Sequence, residues 1–197
     1  MKNTISFFAS LLLCLNISAQ ITYQVDKNHA RLTFSATHFG ISHVEGSFKD
    51  FNVTFKAKLP DFSDAVIEVT AQAVSINTDN GMRDKDLKSS KWFDALKYPV
   101  VTFKSTAFKK ISDKNYKLEG TITMHGITKP LVLDVIFNGK VLNPMSKKNM
   151  LGFTITGKLD RSDFQIGTEP FASVVGKEIE ITANVEFIEN DSAPASR

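Results

Sequence analysis

Four histidines, His29, His38, His43 and His125, and the charged run Arg83-Asp84-Lys85-Asp86 are the residues of this chain best suited to chemistry. Imidazoles and carboxylates at short spacing can hold a metal ion, and a carboxylate poised near neutrality can move protons. The spacing supports neither. His38 and His43 flank an expected turn with no carboxylate cluster at a recognisable interval. His29 stands where a strand begins, a place for a buried, hydrogen-bonded imidazole. A carboxylate beside the Arg83 guanidinium is held ionised, which makes Asp84 a poor general base. The charged run therefore reads as the salt-bridged start of a helix laid over one end of a sheet. No Gly-x-Ser-x-Gly elbow and no glycine-rich phosphate loop occur, so the sequence offers no catalytic residue, no metal site and no cofactor.

The elements that would position these residues begin after an unusual N-terminus. MKNTISFFASLLLCLNISAQ carries one charge, Lys2, then an apolar run closed by Ala19. This is the pattern of a signal peptide over residues 1–19 with cleavage before Gln20, and the run is shorter than the roughly 20 apolar residues a spanning helix needs. Leu13 precedes the single cysteine, Cys14, so lipid anchoring is not expected, and the mature chain would hold no thiol. Export is the expectation: periplasmic if the host has two membranes, otherwise extracellular. The formal net charge of +3 is spread among interspersed signs, without the basic patch that nucleic acid binding requires. Residues 20–189 read as one domain, and residues 190–197 as a disordered tail.

Period-2 alternation dominates that domain. Examples are Leu32, Phe34 and Ala36; Val53, Phe55 and Ala57; Ile67, Val69 and Ala71; Leu118, Gly120, Ile122 and Met124; and Ile179, Ile181, Ala183 and Val185. Turn chemistry is expected at Pro60-Asp61, Asp113-Lys114-Asn115, Asn138-Gly139 and Asn143-Pro144. Nine or ten strands without alternating helices predict an all-β antiparallel barrel or sandwich, and periodicity alone does not choose between them. Sixteen phenylalanines suit either a Phe-rich core or a lumen lined for a hydrocarbon. Residues 77–99 break the pattern. A helical stretch over Asn80–Leu96 is expected there, with Leu87, Lys91 and Asp94 on one face, Trp92, Phe93 and Leu96 supplying apolar contacts, and Pro99 as the stop.

Several motifs in order carry a family resemblance. Asp26-Lys27-Asn28-His29, Gly46-Ser47-Phe48, Ser75-Ile76-Asn77-Thr78, Arg83-Asp84, Phe93-Asp94, Tyr98-Pro99 and Phe103-Lys104-Ser105 resemble the YceI-like lipid/polyisoprenoid-binding family. So do the hairpin Gly120–Pro130 and the stretch Asp160-Arg161-Ser162-Asp163-Phe164, the likeness covering about residues 22–188. Three positions depart from the pattern: Gln165 stands where the family usually has Gly, Gly176-Lys177-Glu178 replaces an acidic position before the last strand, and Met124-His125 occupies the hairpin.

The resemblance implies a lipocalin-like, eight-stranded, up-and-down barrel with the helical insertion as a cap, anchored by Arg83 and Asp84. It also implies a long isoprenoid or fatty-acyl amphiphile held in the lumen. Strand parity within such a barrel points inward Phe34, Ala36, Phe55, Ile67, Val69, Phe103, Ile122, Leu133, Val135, Phe153 and Ile155, with Trp92 and Phe93 from the cap. His38 and Arg83 are the candidate contacts for a polar head. Small residues (Ala36, Ala71, Ala73, Gly120 and Gly157) hint at room inside. Transient membrane contact and a homodimer are both compatible with this reading. The competing readings are an interaction module whose barrel is filled by its own side chains, and an enzyme pairing a histidine with Asp84.

Overall fold

The computed structural model describes residues 20–168 and 173–190. The expected signal peptide and all of the expected tail except Asn190 lie outside the described residues. The strands are β1 (Ile21–Val25), β2 (Arg31–His38), β3 (Ser42–Phe48), β4 (Phe51–Ala57), β5 (Val66–Gln72), β6 (Ile76–Asn77), β7 (Val100–Lys110), β8 (Asn115–Met124), β9 (Ile127–Leu142), β10 (Asn149–Asp160) and β11 (Val175–Glu189). One α-helix, α1, spans Gly81–Lys88.

These segments form eight staves of a closed antiparallel barrel. β1 and β2 are one bent stave, β3 and β4 a second, β5 and β6 a third. Each stave pairs with the next in sequence, an up-and-down order. The ring closes where the end of β11 meets β1, with Tyr23 opposite Glu189 and Val25 opposite Phe187, while the start of β11 pairs β2 from Ile179–Ala36 to Asn184–Arg31. Closure leaves no flat sheet edge to aggregate. Parity is regular: on β8, Tyr116, Leu118, Gly120, Ile122 and Met124 are buried. Outward positions carry ion pairs such as Lys117–Asp134 at 2.6 Å and Lys158–Glu178 at 2.7 Å, unlike the apolar outer band of a membrane-spanning barrel.

The two ends differ. At one, the loop 58–65 turns Phe62 into the barrel while the Asp64 carboxylate accepts the Lys58 and Leu59 amides. Phe62 joins a knot of rings around Phe55, whose centroid lies 5.2 Å from Tyr23, 5.6 Å from Phe153 and 5.4 Å from Phe187. Such pairs add about 0.5–1.5 kcal/mol each beyond area burial. This end is closed. At the other end the wall is incomplete. β6 reaches β3 only at Ser47–Asn77 and Phe48–Ile76, and the chain then leaves the wall until Val100. Residues 78–99, α1 included, fill that breach.

Several sequence expectations change in the structure. The helix stops at Lys88 rather than reaching Leu96, because residues 89–98 fold into successive turns, with Trp92 N donating to Ser89 O and Tyr98 N to Asp94 O. Leu87, Lys91 and Asp94 therefore share no helical face, and Leu96 is 96% exposed instead of packed. Asn138-Gly139 is not a turn but a bulge within β9, where the register with β10 slips between Gly152 and Phe153. Gly120 and Gly157 point inward without making room: the Phe103 ring takes the place of a Cβ at the first, and the Leu133 side chain at the second. Ala73 lies in a 3-10 turn, away from the chamber described next.

Candidate functional site: an apolar chamber open at one end

Inside the barrel lies a cavity of about 560 Å³ with an almost wholly apolar lining. β2 contributes Phe34 and Ala36, β4 Phe55, β5 Ile67 and Val69, and β7 Phe103. β8 contributes Ile122, β9 Leu133 and Val135, β10 Phe153 and Ile155, and the segment after α1 adds Trp92 and Phe93. His38 and Arg83 also border the chamber. Every side chain that parity assigned inward is thus on this wall. Lining residues near the closed end, such as Phe55, Phe153 and Phe187, are buried, whereas Phe34, His38, Val175 and Ile179 are half-exposed and Met82 is exposed. The mouth therefore lies between the β2–β3 hairpin, the first turn of α1 and the start of β11.

A small polar knot holds α1 over the breach. Asn80 caps the helix, its side-chain oxygen accepting from Arg83 N at 3.1 Å. The buried Asp84 carboxylate accepts from Thr78 N at 2.7 Å and Thr78 Oγ1 at 2.6 Å. Arg83 Nε donates to Thr78 Oγ1 and Nη2 to Thr78 O, both at 2.8 Å. Arg83 and Asp84 thus meet through Thr78, whose amide, hydroxyl and carbonyl are all satisfied.

The rest of this end is covered by residues 89–98 and 161–168, and the residue that joins them was missed in the sequence. Arg161 is 3% exposed and has no carboxylate partner among the described residues. Its Nε donates to Gly176 O at 3.0 Å, Nη1 to Ile166 O at 2.7 Å and also to Gly167 O, and Nη2 to Val175 O at 2.5 Å. Its guanidinium lies 5.5 Å from the Trp92 ring centre. Trp92 also rests on Gly167, whose φ of +58° and missing Cβ both require glycine. Burial pushes the Arg161 pKa down, with the charge of Asp160 opposing. The only sequence signal was its place in the Asp160–Phe164 motif. His125 adds a second tie: Nδ1 donates to Phe164 O at 2.9 Å, and the ring packs edge-on against Tyr98 at 4.7 Å.

Gln165 sits here with φ +57°, in the left-handed region that glycine enters freely. Gln165→Gly is expected to raise stability by up to about 1 kcal/mol, relief of strain outweighing the added chain entropy. A lowered midpoint in chemical denaturation would contradict this.

His29 is exposed rather than buried. It sits in the corner between β1 and β2, with Nδ1 2.9 Å from Asp26 Oδ2. With Glu186 these groups place ligand atoms within 4.8 Å of one another, but the Asp26 oxygens already serve Asn28 N and His29. The His29 hydrogen bond holds Asp26 below the usual carboxylate range, and the same bond, then the charges of Asp26 and Glu186, raises His29. The Asp26 contribution to stability is present above its ordinary 3.8 and lost as pH falls through its lowered folded value. That of His29 is present below its ordinary 6.5 and lost as pH rises through its raised value. Between those ordinary values both are in place, though exposure keeps the effect small. In an NMR titration the His29 midpoint should lie above 6.5 and fall back in Asp26→Asn. An unchanged midpoint would show that Asp26 is not the cause.

The fold and chamber define a class: a small, closed, up-and-down barrel with an apolar interior reached from one end. Residues 23–187 match the YceI-like domain, and the chain belongs to that family. It is 34% identical over 191 residues to protein YceI of Salmonella agona, covering 95% of this chain and 98% of the relative. In fold it is similar to BcnA of Burkholderia cenocepacia, with a TM-score of 0.75 at 22% identity, over 82% of this chain and 98% of that one. It is also similar in fold to a polyisoprenoid binding domain from Saccharophagus degradans implicated in plant cell wall breakdown, with a TM-score of 0.59 at 13% identity, over 85% of this chain and 98% of that one.

Proposed function

We propose that this protein binds a long apolar amphiphile, an isoprenoid or fatty-acyl chain, in the barrel and acts after export as its carrier, store or protector. The observation that carries the reading is the chamber. Its volume is in the usual range for small-molecule sites, roughly 300–1,000 Å³, and its lining suits a hydrocarbon. The description of the Saccharophagus degradans domain supports an isoprenoid as cargo. His38 and Arg83, at the open end, are the groups a polar head would meet. Binding rather than catalysis fits Asp84, whose oxygens are committed to Thr78 and Asn77.

Each CH₂ moved from water into the chamber is worth about 0.8 kcal/mol. A chain that already lies in a bilayer has that gain, so net exchange is close to neutral and fit sets its sign. The test is mass spectrometry of an organic extract of the protein, purified from its own host without detergent. A stoichiometric prenyl or acyl species establishes the carrier and names its cargo. Clean protein that also takes up no long-chain probe would favour an interaction module and refute the proposal.

A further inference from the structure

The mouth of the chamber is bordered by large apolar side chains that the fold leaves in water. Phe39 and Ile41, at the tip of the β2–β3 hairpin, are 60% and 87% exposed, and Met82, in the first turn of α1, is 80% exposed. Met82 also lines the chamber, so the exposed apolar surface continues into its wall. We propose that this rim docks on a lipid bilayer, with the β2–β3 tip inserted among the lipids, so that ligand passes between membrane and chamber without entering water. The proposal rests on the carrier reading above and adds where and how the cargo enters.

The backbone of the tip is the first argument. Ile41 N donates to His38 O, and the two residues between them have positive φ: Phe39 at 52° and Gly40 at 71°. That is the pattern of a type I′ turn, in which Asn or Asp before Gly is favoured. A phenylalanine there is strained, and apart from an edge-on contact with His38 at 4.5 Å its ring gains little from folding. Strain and exposure at one residue both act against stability, which points to a use outside the fold.

Charge is the second argument. From Leu32 to Val44 the hairpin contains no Asp, Glu, Lys or Arg, so its tip can enter a bilayer without burying a formal charge. The charged residues nearest in sequence to the rim, Glu45 after the tip and Asp79, Arg83, Asp84, Lys85 and Asp86 around Met82, are of both signs. Docking is therefore apolar in origin and insensitive to salt. Exposed apolar residues also occur at the closed end, among them Leu142 and Met145, but they border no opening and serve as controls.

The experiment compares the protein with Phe39→Asn, Ile41→Ser and Met145→Ser. It measures flotation with vesicles of phosphatidylethanolamine and phosphatidylglycerol, transfer of anthroyloxy-stearate from loaded vesicles, and thermal unfolding. Phe39→Asn should hold or raise the unfolding midpoint, since Asn suits the turn, while lowering vesicle binding and slowing transfer about tenfold. Ile41→Ser should lower binding similarly, and Met145→Ser should change neither readout. A role confined to the fold would not move stability and vesicle binding in opposite directions. Unchanged flotation and transfer in both tip variants would overturn the proposal. So would loss of a dimer in the tip variants without vesicles, which would make the rim a self-association surface. Flotation needs no bound ligand: a chamber that takes up no probe would count against the carrier reading, while flotation would still judge the rim.

Discussion

Arg161→Leu is expected to destabilise the protein by roughly 3–5 kcal/mol, the largest effect of any substitution proposed. Leucine preserves much of the buried bulk but removes the donor to the carbonyls of Ile166, Gly167, Val175 and Gly176, all of which accept from the guanidinium. Each buried carbonyl left without a partner costs about 1–3 kcal/mol, reduced where water can enter from the nearby mouth. The contact with Trp92 is lost as well. Because these bonds join the end of β10 to the start of β11, their loss should open the covered half of the mouth as well as lower the unfolding midpoint. Lysine keeps the charge but presents one nitrogen instead of a planar fork, so Arg161→Lys should recover less than half of the deficit. Chemical denaturation followed by circular dichroism would decide: a loss below about 1 kcal/mol for Arg161→Leu would mean that water readily replaces the guanidinium.

Ile155→Trp should abolish cargo binding while leaving the barrel folded. Ile155 lies on β10 opposite Val135 of β9 and Ala183 of β11, part of the way up the chamber. A larger ring there occupies space that the ligand needs, at a cost of about 1–3 kcal/mol from overpacking. Occupancy of a long-chain probe should fall at least about tenfold, a loss of 1.4 kcal/mol or more in binding. Thr156→Trp is the matched control. It is one residue along the same strand, exposed, and on the opposite face. If both variants bind alike, the chamber is not where the cargo lies.

Much of this protein was legible in its sequence, for a local reason. In a strand, successive side chains point to opposite faces because of backbone geometry alone, so alternation at Phe34-Ala36, Val69-Ala71 or Phe153-Ile155 marks one face without knowledge of the partner strand. That local rule, repeated stave after stave, was enough for an antiparallel all-β domain and for a list of inward residues that the structure places on one chamber wall. The break at residues 77–99 was visible for the same reason, because alternation fails there.

What the tertiary structure decided concerns residues that meet only after the ring closes. Arg161 satisfies carbonyls on the loop that follows it and on β11, and touches Trp92 from a distant part of the chain; no spacing rule connects them. Gly120 and Gly157 are inward by parity, yet whether an inward glycine makes room depends on neighbouring rotamers, here those of Phe103 and Leu133. Asn138-Gly139 has turn chemistry, but pairing with β10 on one side converts it to a bulge. Which end of the barrel is shut follows from Phe62 folding back onto rings of β4, β9 and β10, and which is open from the short reach of β6. Periodicity is a property of one strand, and so the sequence alone determined the faces. Closure, packing and the mouth depend on contacts between staves, and these form only in the folded barrel.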